Sequence, residues 1–328
     1  MAHPKALTAI VIAKPGAGQA LVPAEKPMPS AGAGQVLIEV AAAGISRPDV
    51  FQRLGFYPPP AGAGLAWPEV AGRVVAAGPA VASPRLERVM ALLPGGSCAT
   101  HAIADATLCL ATPDLRADIE MRRRPGGVFH GVGQCVHACA PQGGQGFLVH
   151  GGAVASARRR SSSPRSSARA CSRPPARAKC AACRKLGADV AINYKAQDFA
   201  EVVKAETGGR GVDVILDMVG GPYIPKNIEC LAEQGRHASI AFLKGAKAEV
   251  DFNAVMRKRL TLTGSTLRPR TLEEKTTIAD ELRAHVLPLL AARRVVPVID
   301  STFPLRDAAK AHARMDADQH TGKIILTV

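Results

Sequence analysis

The first third of the chain carries short runs in which apolar and polar residues alternate, separated by glycine and proline. Residues 35–45 alternate in this way, which is the period of a half-buried β-strand. Residues 72–78 form a second strand-like run that ends in a glycine turn. Between them, Tyr-Pro-Pro-Pro at 57–60 predicts a rigid loop, because proline fixes φ and has no N–H to donate. The pattern indicates a unit built from short strands and turns.

From residue 147 onward, short apolar runs alternate with stretches of helical character. The run at 213–219 is continuously apolar in its centre, as in strands buried on both faces of a parallel sheet. The predicted strands are 147–150, 188–194, 213–219 and 236–242, and the predicted helices are 179–187, 196–207 and 224–234. Alternation of strand and helix at this spacing predicts a doubly wound α/β domain. A last predicted strand covers 322–328.

Length and composition are those of a globular protein. The 328 residues suffice for two domains, and 47% of them are hydrophobic. No apolar run approaches the ~20 residues needed to span a bilayer, and the first residues lack the apolar segment of a signal peptide. We therefore expect a cytoplasmic protein without a membrane partner.

The eight cysteines are expected to be reduced thiols, because cytoplasmic proteins of this size do not rely on disulfides. Cys180 and Cys183 have the spacing of a redox or metal-binding pair. No second pair of this kind accompanies them, and helix-forming residues surround them. The sequence favours two ordinary helix cysteines over a redox or metal site.

The net charge of +15 would usually indicate a nucleic-acid or anionic partner. However, residues 121–180 hold ten arginines and one lysine with no acidic residue. Without that block the chain has 31 basic against 27 acidic residues. The basicity therefore belongs to one segment, and a nucleic-acid partner is not expected.

Several motifs along the chain together resemble one protein family. Residues 44–60 read Gly-Ile-Ser-Arg-Pro-Asp-Val-Phe-Gln-Arg-Leu-Gly-Phe-Tyr-Pro-Pro-Pro. Further matches are Val-Gly-Gly at 219–221, Gly-Ser-Thr-Leu-Arg at 264–268 and Gly-Lys at 322–323. In this order and spacing they resemble the zeta-crystallin-like, zinc-lacking quinone oxidoreductases of the medium-chain dehydrogenase/reductase superfamily.

The resemblance covers residues 35–120 and 179–328 and implies a two-domain α/β fold. A GroES-like, β-rich N-terminal domain would comprise residues 1–122 and be completed by 297–328. A Rossmann domain with a doubly wound parallel sheet would comprise residues 123–296. A homodimer is expected from the family alone.

The resemblance also implies an enzyme without a metal. Zinc-dependent relatives place a cysteine where Ser46 stands, use Gly-His-Glu near residues 68–69, and carry a structural lobe with four cysteines. None of these ligand sets is present in the sequence. Catalytic zinc needs three protein ligands and an open position, and no candidate set exists.

Two residues of the N-terminal domain are implied as substrate-binding. Ser46 would face the nicotinamide and substrate, where the family usually has asparagine; serine keeps a hydroxyl but loses the amide. Tyr57 would line the quinone pocket. The alternatives are a plain turn residue for Ser46 and a loop aromatic for Tyr57. Asp49 and Arg53 are interpreted as structural residues that brace the loop against the core.

The cofactor implied by the resemblance is NADPH. NAD enzymes place an acidic residue after the second strand, whereas this chain has none between Glu120 and Asp189. By resemblance, Lys179 and Tyr194 would contact the 2′-phosphate. The implied cofactor-binding residues are Gly151, Gly152, Ala153, Lys179, Tyr194, Val219, Gly220, Phe242, Leu243, Ser265, Leu267 and Lys323. The alternatives are a solvated helix-start lysine for Lys179 and a core residue for Phe242.

Residues 121–178 do not fit the rest of the chain. After Gly151, Gly152 and Ala153, the sequence continues Val-Ala-Ser-Ala-Arg-Arg-Arg-Ser-Ser-Ser-Pro, and proline inside a helix costs ~3 kcal/mol. Back-translated and read from one base earlier, 154–164 can encode the family run Ser-Gly-Ile-Gly-Thr-Thr-Ala-Ile-Gln-Leu-Ala. We therefore hypothesise a frameshift over 121–146 and 154–178. The alternative is a basic, disordered insert.

The function implied by the resemblance is hydride transfer from NADPH to a quinone in a cleft that excludes water. The sequence assigns no catalytic residue, and solvent would supply the proton. An alkenal or enone double-bond reductase on the same fold is the nearest alternative. A non-catalytic, crystallin-like structural protein and a nucleic-acid-binding protein are alternatives of other classes.

Overall fold

The computed structural model describes most of the chain outside one central segment. The described residues are 4–14, 16, 21–56, 69–81, 88–112, 144–151, 168–171 (backbone alone), 180–181, 183–184, 188–292 and 298–328. No helix among them is long and apolar enough to cross a membrane. The segments of the frameshift hypothesis lie outside the described residues, apart from 144–146 and 168–171.

The described strands and helices are numbered here in chain order. The strands are β1 (Ala6–Ile12), β2 (Leu21–Pro27), β3 (Gln35–Ile45), β4 (Glu69–Ala77), β5 (Arg88–Leu92), β6 (His101–Asp105), β7 (Cys109–Ala111), β8 (Phe147–His150), β9 (Ala168–Cys171), β10 (Val190–Asn193), β11 (Val212–Asp217), β12 (Leu231–Ser239), β13 (Thr261–Gly264), β14 (Ile299–Pro304) and β15 (Lys323–Thr327). The helices are α1 (Arg47–Arg53), α2 (Phe199–Glu206), α3 (Tyr223–Cys230), α4 (Phe252–Lys258), α5 (Leu272–His285), α6 (Leu287–Ala291) and α7 (Ala308–Asp316).

Contacts between residues divide the chain into two compact units. Unit 1 consists of residues 1–129, 271–291 and 297–328, and unit 2 of residues 130–270 and 292–296. The predicted division placed α5 and α6 in the second domain, whereas the contacts group them with unit 1. The grouping has a local cause, because Thr276 Oγ1 lies 2.7 Å from Thr107 Oγ1 and Arg283 donates to the carbonyl of Cys109 at 3.0 Å.

The main sheet of unit 1 has the strand order β14-β15-β3-β4-β5-β7, with β6 also paired to β3. The strand predicted at 35–45 is confirmed as β3, and the strand predicted at 72–78 lies within β4 and its following turn. Val36, Ile38 and Val40 of β3 are almost fully buried in the hydrophobic core. The strand lies where the sequence predicts it, but the expectation that it is half-buried was wrong, because Leu37 and most other residues of β3 are buried as well.

Helix α1 interrupts the strands of unit 1 and was not predicted. Asp49 in its first turn accepts a hydrogen bond from the backbone N–H of Ser46 at 2.5 Å. Arg53 is buried and donates to the carbonyl of Gly16 at 3.0 Å and to the carboxylate of Asp316 in α7 at 2.7 Å. These contacts confirm the structural interpretation of Asp49 and Arg53.

The described strands of unit 2 form one parallel sheet with the order β10-β9-β8-β11-β12-β13. Numbered within the unit, this is the order 3-2-1-4-5-6 of doubly wound dinucleotide-binding sheets. Leu148 of β8 and Ile215 of β11 are fully buried and pack with Phe199 and Val203 of α2. The predicted doubly wound parallel sheet is confirmed.

The helix predicted at 224–234 ends earlier than expected, at Cys230. Residues 231–234 (Leu-Ala-Glu-Gln) are all good helix formers, but they begin β12. The pairing of β12 with β11 is irregular there, since Val212 pairs with Leu231 whereas Val214 pairs with Arg236. Tertiary pairing of the strand therefore overrides local helix propensity at these residues.

The two closely spaced cysteines lie in a helical segment of unit 2. Cys180 and Cys183 are buried in a small cluster with Ala188 and Ala191. Their burial among alanines is that of ordinary packed side chains and supports the helix interpretation.

Candidate cofactor and substrate sites

Glycine turns follow two adjacent strands of the parallel sheet, at the edge where doubly wound sheets bind their ligands. Gly151 directly follows β8 with φ +73°, and Gly220 follows β11 with φ +67°. A Cβ on Gly220 would lie 2.6 Å from the carbonyl oxygen of Gly245, so a larger residue would clash as well as be strained. The structure thus places Gly151 and Gly220 on one sheet edge, whereas Gly152 and Ala153 lie outside the described residues.

The loop after β12 is held against the turn after β11 by backbone hydrogen bonds. Leu243 N–H donates to the carbonyl of Met218 at 3.2 Å, and Lys244 N–H donates to the carbonyl of Val219 at 2.7 Å. Val219 is buried, but the side chains of Phe242 and Leu243 are about half exposed. The exposure of Phe242 argues against the alternative that it is a core residue, and it leaves both side chains available to a ligand.

The segment after β13 reaches the same sheet edge. Ser265 N–H donates to the carbonyl of Ser239, the last residue of β12, at 2.9 Å. The Ser265 hydroxyl accepts from Arg270 at 3.1 Å, and Leu267 is buried. Ser265 therefore lies beside the loop that carries Phe242, while the Leu267 side chain points into the protein.

A lysine that the sequence analysis did not select lies beside Tyr194. Lys244 Nζ is 5.9 Å from the ring centroid of Tyr194 and 5.0 Å from that of Tyr223, and the two rings meet edge to face. Burial raises the pKa of Tyr223 to about 12, with smaller contributions from Tyr194 and nearby aspartates. The motif comparison missed Lys244 because its position beside Tyr194 depends on the fold of the loop. Lys179 lies outside the described residues.

A buried polar network lies directly beneath the turn at Gly220. Asp217, the last residue of β11, accepts from the backbone N–H of Val219 at 2.7 Å and of Gly220 at 3.2 Å. Asn227 of α3 donates from Nδ2 to Asp217 at 3.0 Å. His237 Nε2 of β12 lies 3.3 Å from the same carboxylate. The network thus ties the turn to the sheet and to α3.

The orientation of Asn227 defines the tautomer of His150. Because Asn227 Nδ2 faces Asp217, its Oδ1 faces His150 Nε2 at 2.6 Å and accepts a hydrogen bond from the Nε2–H group. Burial lowers the pKa of His150, against the opposing charge of Asp217, so the ring is neutral with its proton on Nε2. His150 directly precedes Gly151, so Asn227 connects the two glycine turns.

The ionised state of Asp217 is stabilised despite its burial. Burial alone would raise the pKa of this carboxyl, but the hydrogen bonds from His237 and from the backbone N–H groups of Val219 and Gly220 hold the pKa below its ordinary value. The carboxylate therefore remains a hydrogen-bond acceptor for the turn at neutral pH.

In unit 1 the structure brings together two residues predicted for different roles. Lys323 Nζ donates to Ser46 Oγ at 2.8 Å. The contact follows from strand register, because Ile324 of β15 pairs with Ile45 of β3. Tyr57 lies outside the described residues.

Among the residues that the structure describes, no group of three or more His, Cys, Asp or Glu side chains could hold a metal ion.

Matches to two family descriptions agree with this architecture. Residues 32–143 match the alcohol dehydrogenase GroES-like domain, and residues 186–326 match the family described as zinc-binding dehydrogenase. A GroES-like domain followed by a Rossmann-type domain defines a class of two-domain proteins with a dinucleotide-binding fold. The chain belongs to the medium-chain dehydrogenase/reductase superfamily, which confirms the predicted fold class and superfamily.

Individual relatives match parts or all of the chain. The 2-haloacrylate reductase of a Burkholderia species is 36% identical over 151 residues, which is 44% of this chain and 43% of that protein. Erythronolide synthase of Saccharopolyspora erythraea is 30% identical over 312 residues, 90% of this chain but 8% of the relative. The chain thus spans less than half the length of these curated relatives. The Escherichia coli quinone oxidoreductase complexed with NADPH aligns with a TM-score of 0.81 at 24% identity, covering 98% of this chain and 100% of that structure.

Proposed function

We propose that the protein is an NADPH-dependent quinone oxidoreductase of the zeta-crystallin-like type that works without a metal. The observation that carries the proposal is the glycine edge of the unit 2 sheet, where a lysine ammonium stands beside the predicted cofactor residue Tyr194. The names of the quinone oxidoreductase relatives supply the acceptor class.

The residues at this edge fit an anionic dinucleotide. Gly151 and Gly220 adopt positive φ where β8 and β11 end, which is the backbone conformation of the tight turns at which doubly wound sheets meet a pyrophosphate. Lys244 and Tyr194 offer a cation and a hydroxyl for a 2′-phosphate, which favours NADPH over NADH. When bound, the nicotinamide supplies the hydride. The network around Asp217 holds the Gly220 turn in place for this contact.

An alkenal or enone reductase is the second candidate. The Burkholderia relative is named for the reduction of a 2-haloacrylate, which is an activated alkene. The same cofactor edge would serve either acceptor, so the distinction lies with Ser46 and the residues around it. The acceptor class is therefore decided by a direct comparison of the two substrates.

The absence of a metal is proposed from the residues, chiefly because Ser46 is a poor zinc ligand where zinc enzymes have cysteine. Elemental analysis of the purified active protein tests this point. Less than about one zinc per ten chains is expected, and a stoichiometric metal that activity requires would contradict it.

We further propose a homodimer formed through the edge of the unit 2 sheet. Strand β13 pairs with β12 on one side, and all four of its residues are exposed. Phe252 and Met256 of the adjacent helix α4 are about 70% exposed. Exposed edge strands with nearby apolar side chains favour association. Light scattering should give the dimer mass, and Leu262→Lys in β13 should shift it toward the monomer.

A cytoplasmic location is proposed from the thiols. Cys98, Cys109 and Cys230 are free and buried, as expected in a reducing compartment. Neither a membrane nor a nucleic acid is proposed as a partner, because the basic residues cluster in 121–180. Salt-dependent nucleic-acid binding that survives deletion of 121–178 would contradict this.

Steady-state turnover tests the proposed function. The expected result is NADPH oxidation by 1,4-benzoquinone with a kcat/KM at least about ten-fold above that for 2-cyclohexen-1-one, and slower oxidation of NADH. The reverse preference would establish the enone reductase instead. NADPH binding without turnover of either acceptor would refute both. Peptide mass spectrometry over 121–178 must accompany the assay, since peptides ending at Arg158, Arg159 or Arg160 would refute a frameshift that lies only in the recorded sequence.

A further inference from the structure

Ser46 and Lys323 form a side-chain pair with spare donor capacity. Both residues are partly buried, and Lys323 Nζ donates to Ser46 Oγ at 2.8 Å. Among the described residues, no carboxylate pairs with the Lys323 ammonium and none accepts the hydroxyl hydrogen of Ser46. Among the described residues, Lys323 therefore forms no ion pair, and the Ser46 hydroxyl keeps a proton that no acceptor binds.

The backbone fixes both members of the pair. Ser46 N–H is bound by the Asp49 carboxylate at 2.5 Å, and Lys323 N–H donates to the carbonyl of Val298 at 2.8 Å. Ile45 and Ile324, the residues beside them, are paired across β3 and β15 and fully buried. The two polar ends are thus presented by a rigid sheet, which is the arrangement that precise proton transfer requires.

The chemistry of the two groups is complementary. A lysine ammonium only donates hydrogen bonds, whereas a hydroxyl can accept a hydrogen bond and donate its own proton at the same time. A hydroxyl between an ammonium and a substrate can therefore pass a proton along. An ammonium nearby also stabilises negative charge that develops on a carbonyl oxygen during reduction.

We propose that Ser46 protonates the reduced acceptor and that Lys323 replaces the proton that Ser46 gives up. The proposal rests on the proposed function, because it needs an acceptor that gains a hydride and becomes an oxyanion. The Oγ–H bond of Ser46 breaks and its proton joins the oxyanion oxygen; an N–H bond of Lys323 breaks and its proton joins Ser46 Oγ. Lys323 then regains a proton from water. The acceptor gains one hydride and one proton in total.

The pair depends on this chain's own serine. The asparagine that related quinone reductases carry here, by the resemblance described above, has an amide that donates and accepts at different atoms. An amide does not give up its proton readily enough to transfer it, so asparagine would position an acceptor without protonating it. Ser46 with Lys323 replaces solvent, the proton source expected from sequence, with a fixed donor.

Four single variants of the full chain test the pair. Ser46→Ala removes the donor, Ser46→Thr keeps a hydroxyl, and Lys323→Met removes the ammonium. Lys26→Met, on the exposed face of β2 in the same unit, is the matched control for loss of a lysine. For each variant, kcat and KM are measured with 2-cyclohexen-1-one and with 1,4-benzoquinone, and NADPH affinity is measured separately by fluorescence.

The expected result is a loss in kcat for the enone. Ser46→Ala and Lys323→Met should each lower this kcat about 100-fold, the usual contribution of a positioned acid, and NADPH affinity should be unchanged in Ser46→Ala. Ser46→Thr should recover most of the loss. The loss of kcat with benzoquinone should be smaller. The hydroquinone anion is a weaker base than an enolate, so it forms more readily without an acid to protonate it.

A measurement on cofactor-free protein tests the pair without turnover. After reductive ¹³C-methylation, the NMR signal of Lys323 is assigned by its loss in Lys323→Met. That signal should move in Ser46→Ala and stay in place in Lys26→Met. An unchanged signal in Ser46→Ala would show that the hydrogen bond is absent in solution and would overturn the proposal.

Three kinetic outcomes distinguish failure of this proposal from failure of the proposed function. If the wild-type chain reduces an acceptor and Ser46→Ala keeps kcat within about three-fold, the pair is refuted and the function stands. If Ser46→Thr loses as much kcat as Ser46→Ala, proton delivery by the hydroxyl is refuted as well. If wild type binds NADPH but reduces neither acceptor, the function and the pair fail together.

Discussion

Asn227 is the side chain whose removal tests the buried network most sharply. It is fully buried and joins His150 at 2.6 Å, Asp217 at 3.0 Å and His237 at 3.2 Å. Asn227→Leu has a similar volume but leaves the Nε2–H of His150 without its acceptor and the Asp217 carboxylate without one donor. Each unsatisfied buried group costs about 1–3 kcal/mol, so we expect the free energy of unfolding to fall by about 4 kcal/mol. Urea denaturation followed by circular dichroism measures the change.

The same substitution at an exposed asparagine is the control. Asn253→Leu, in the first turn of α4, changes an exposed side chain and should alter the free energy of unfolding by less than about 0.5 kcal/mol. Hydrogen exchange adds a local measurement, because the amides of Val219 and Gly220 should exchange faster in Asn227→Leu. If Asn227→Leu is as stable as wild type with unchanged exchange, the network does not hold the Gly220 turn.

Three further predictions concern single residues of the two units. Gly220→Ala should lower the free energy of unfolding by about 2 kcal/mol and weaken NADPH binding, because it adds a steric clash at a residue with positive φ. The control Gly209→Ala has φ +82° and no atom near its added Cβ, so it should lower the free energy of unfolding by less and leave NADPH binding unchanged. Thermal melts and fluorescence titration measure the two effects. Lys244→Met should raise KM for NADPH about ten-fold with little change for NADH, and equal losses for both cofactors would refute a 2′-phosphate contact. Burial lowers the pKa of His312 from 6.5 to about 3, with a smaller contribution from nearby positive charge. Between pH 3 and pH 6.5 the histidine therefore binds a proton in the unfolded chain but not in the folded one. The free energy of unfolding should fall by on the order of 1 kcal/mol for each pH unit below 6.5. In urea titrations, His312→Gln should lack this dependence on pH.

Much of the fold was predictable because its signals are local. The apolar residues at 35–45 and the continuous apolar run within 213–219 both indicate strands, and both lie inside their sheets, although β3 is more deeply buried than its alternating sequence suggests. Leu231 marks where local reasoning failed, because a run of helix formers there is drawn into β12 by pairing with β11. Helix α1 escaped notice because it has only seven residues and contains proline.

The candidate sites were less predictable because their contacts join distant parts of the chain. Ser46 and Lys323 are separated by 277 positions, and each was selected by motif for a different role. Their hydrogen bond follows from the pairing of β3 with β15, which no spacing rule reveals. Likewise, Asp217 and Asn227 lie ten positions apart on a strand and a helix, and their contact depends on how α3 packs.

NADPH affinity is the most direct test of the central claim. Fluorescence titration should be performed on full-length protein whose residues 121–178 have been verified by mass spectrometry. NADPH should bind saturably and at least about ten-fold more tightly than NADH, and the difference should be abolished in Lys244→Met. Failure of the verified chain to bind either dinucleotide would contradict the account.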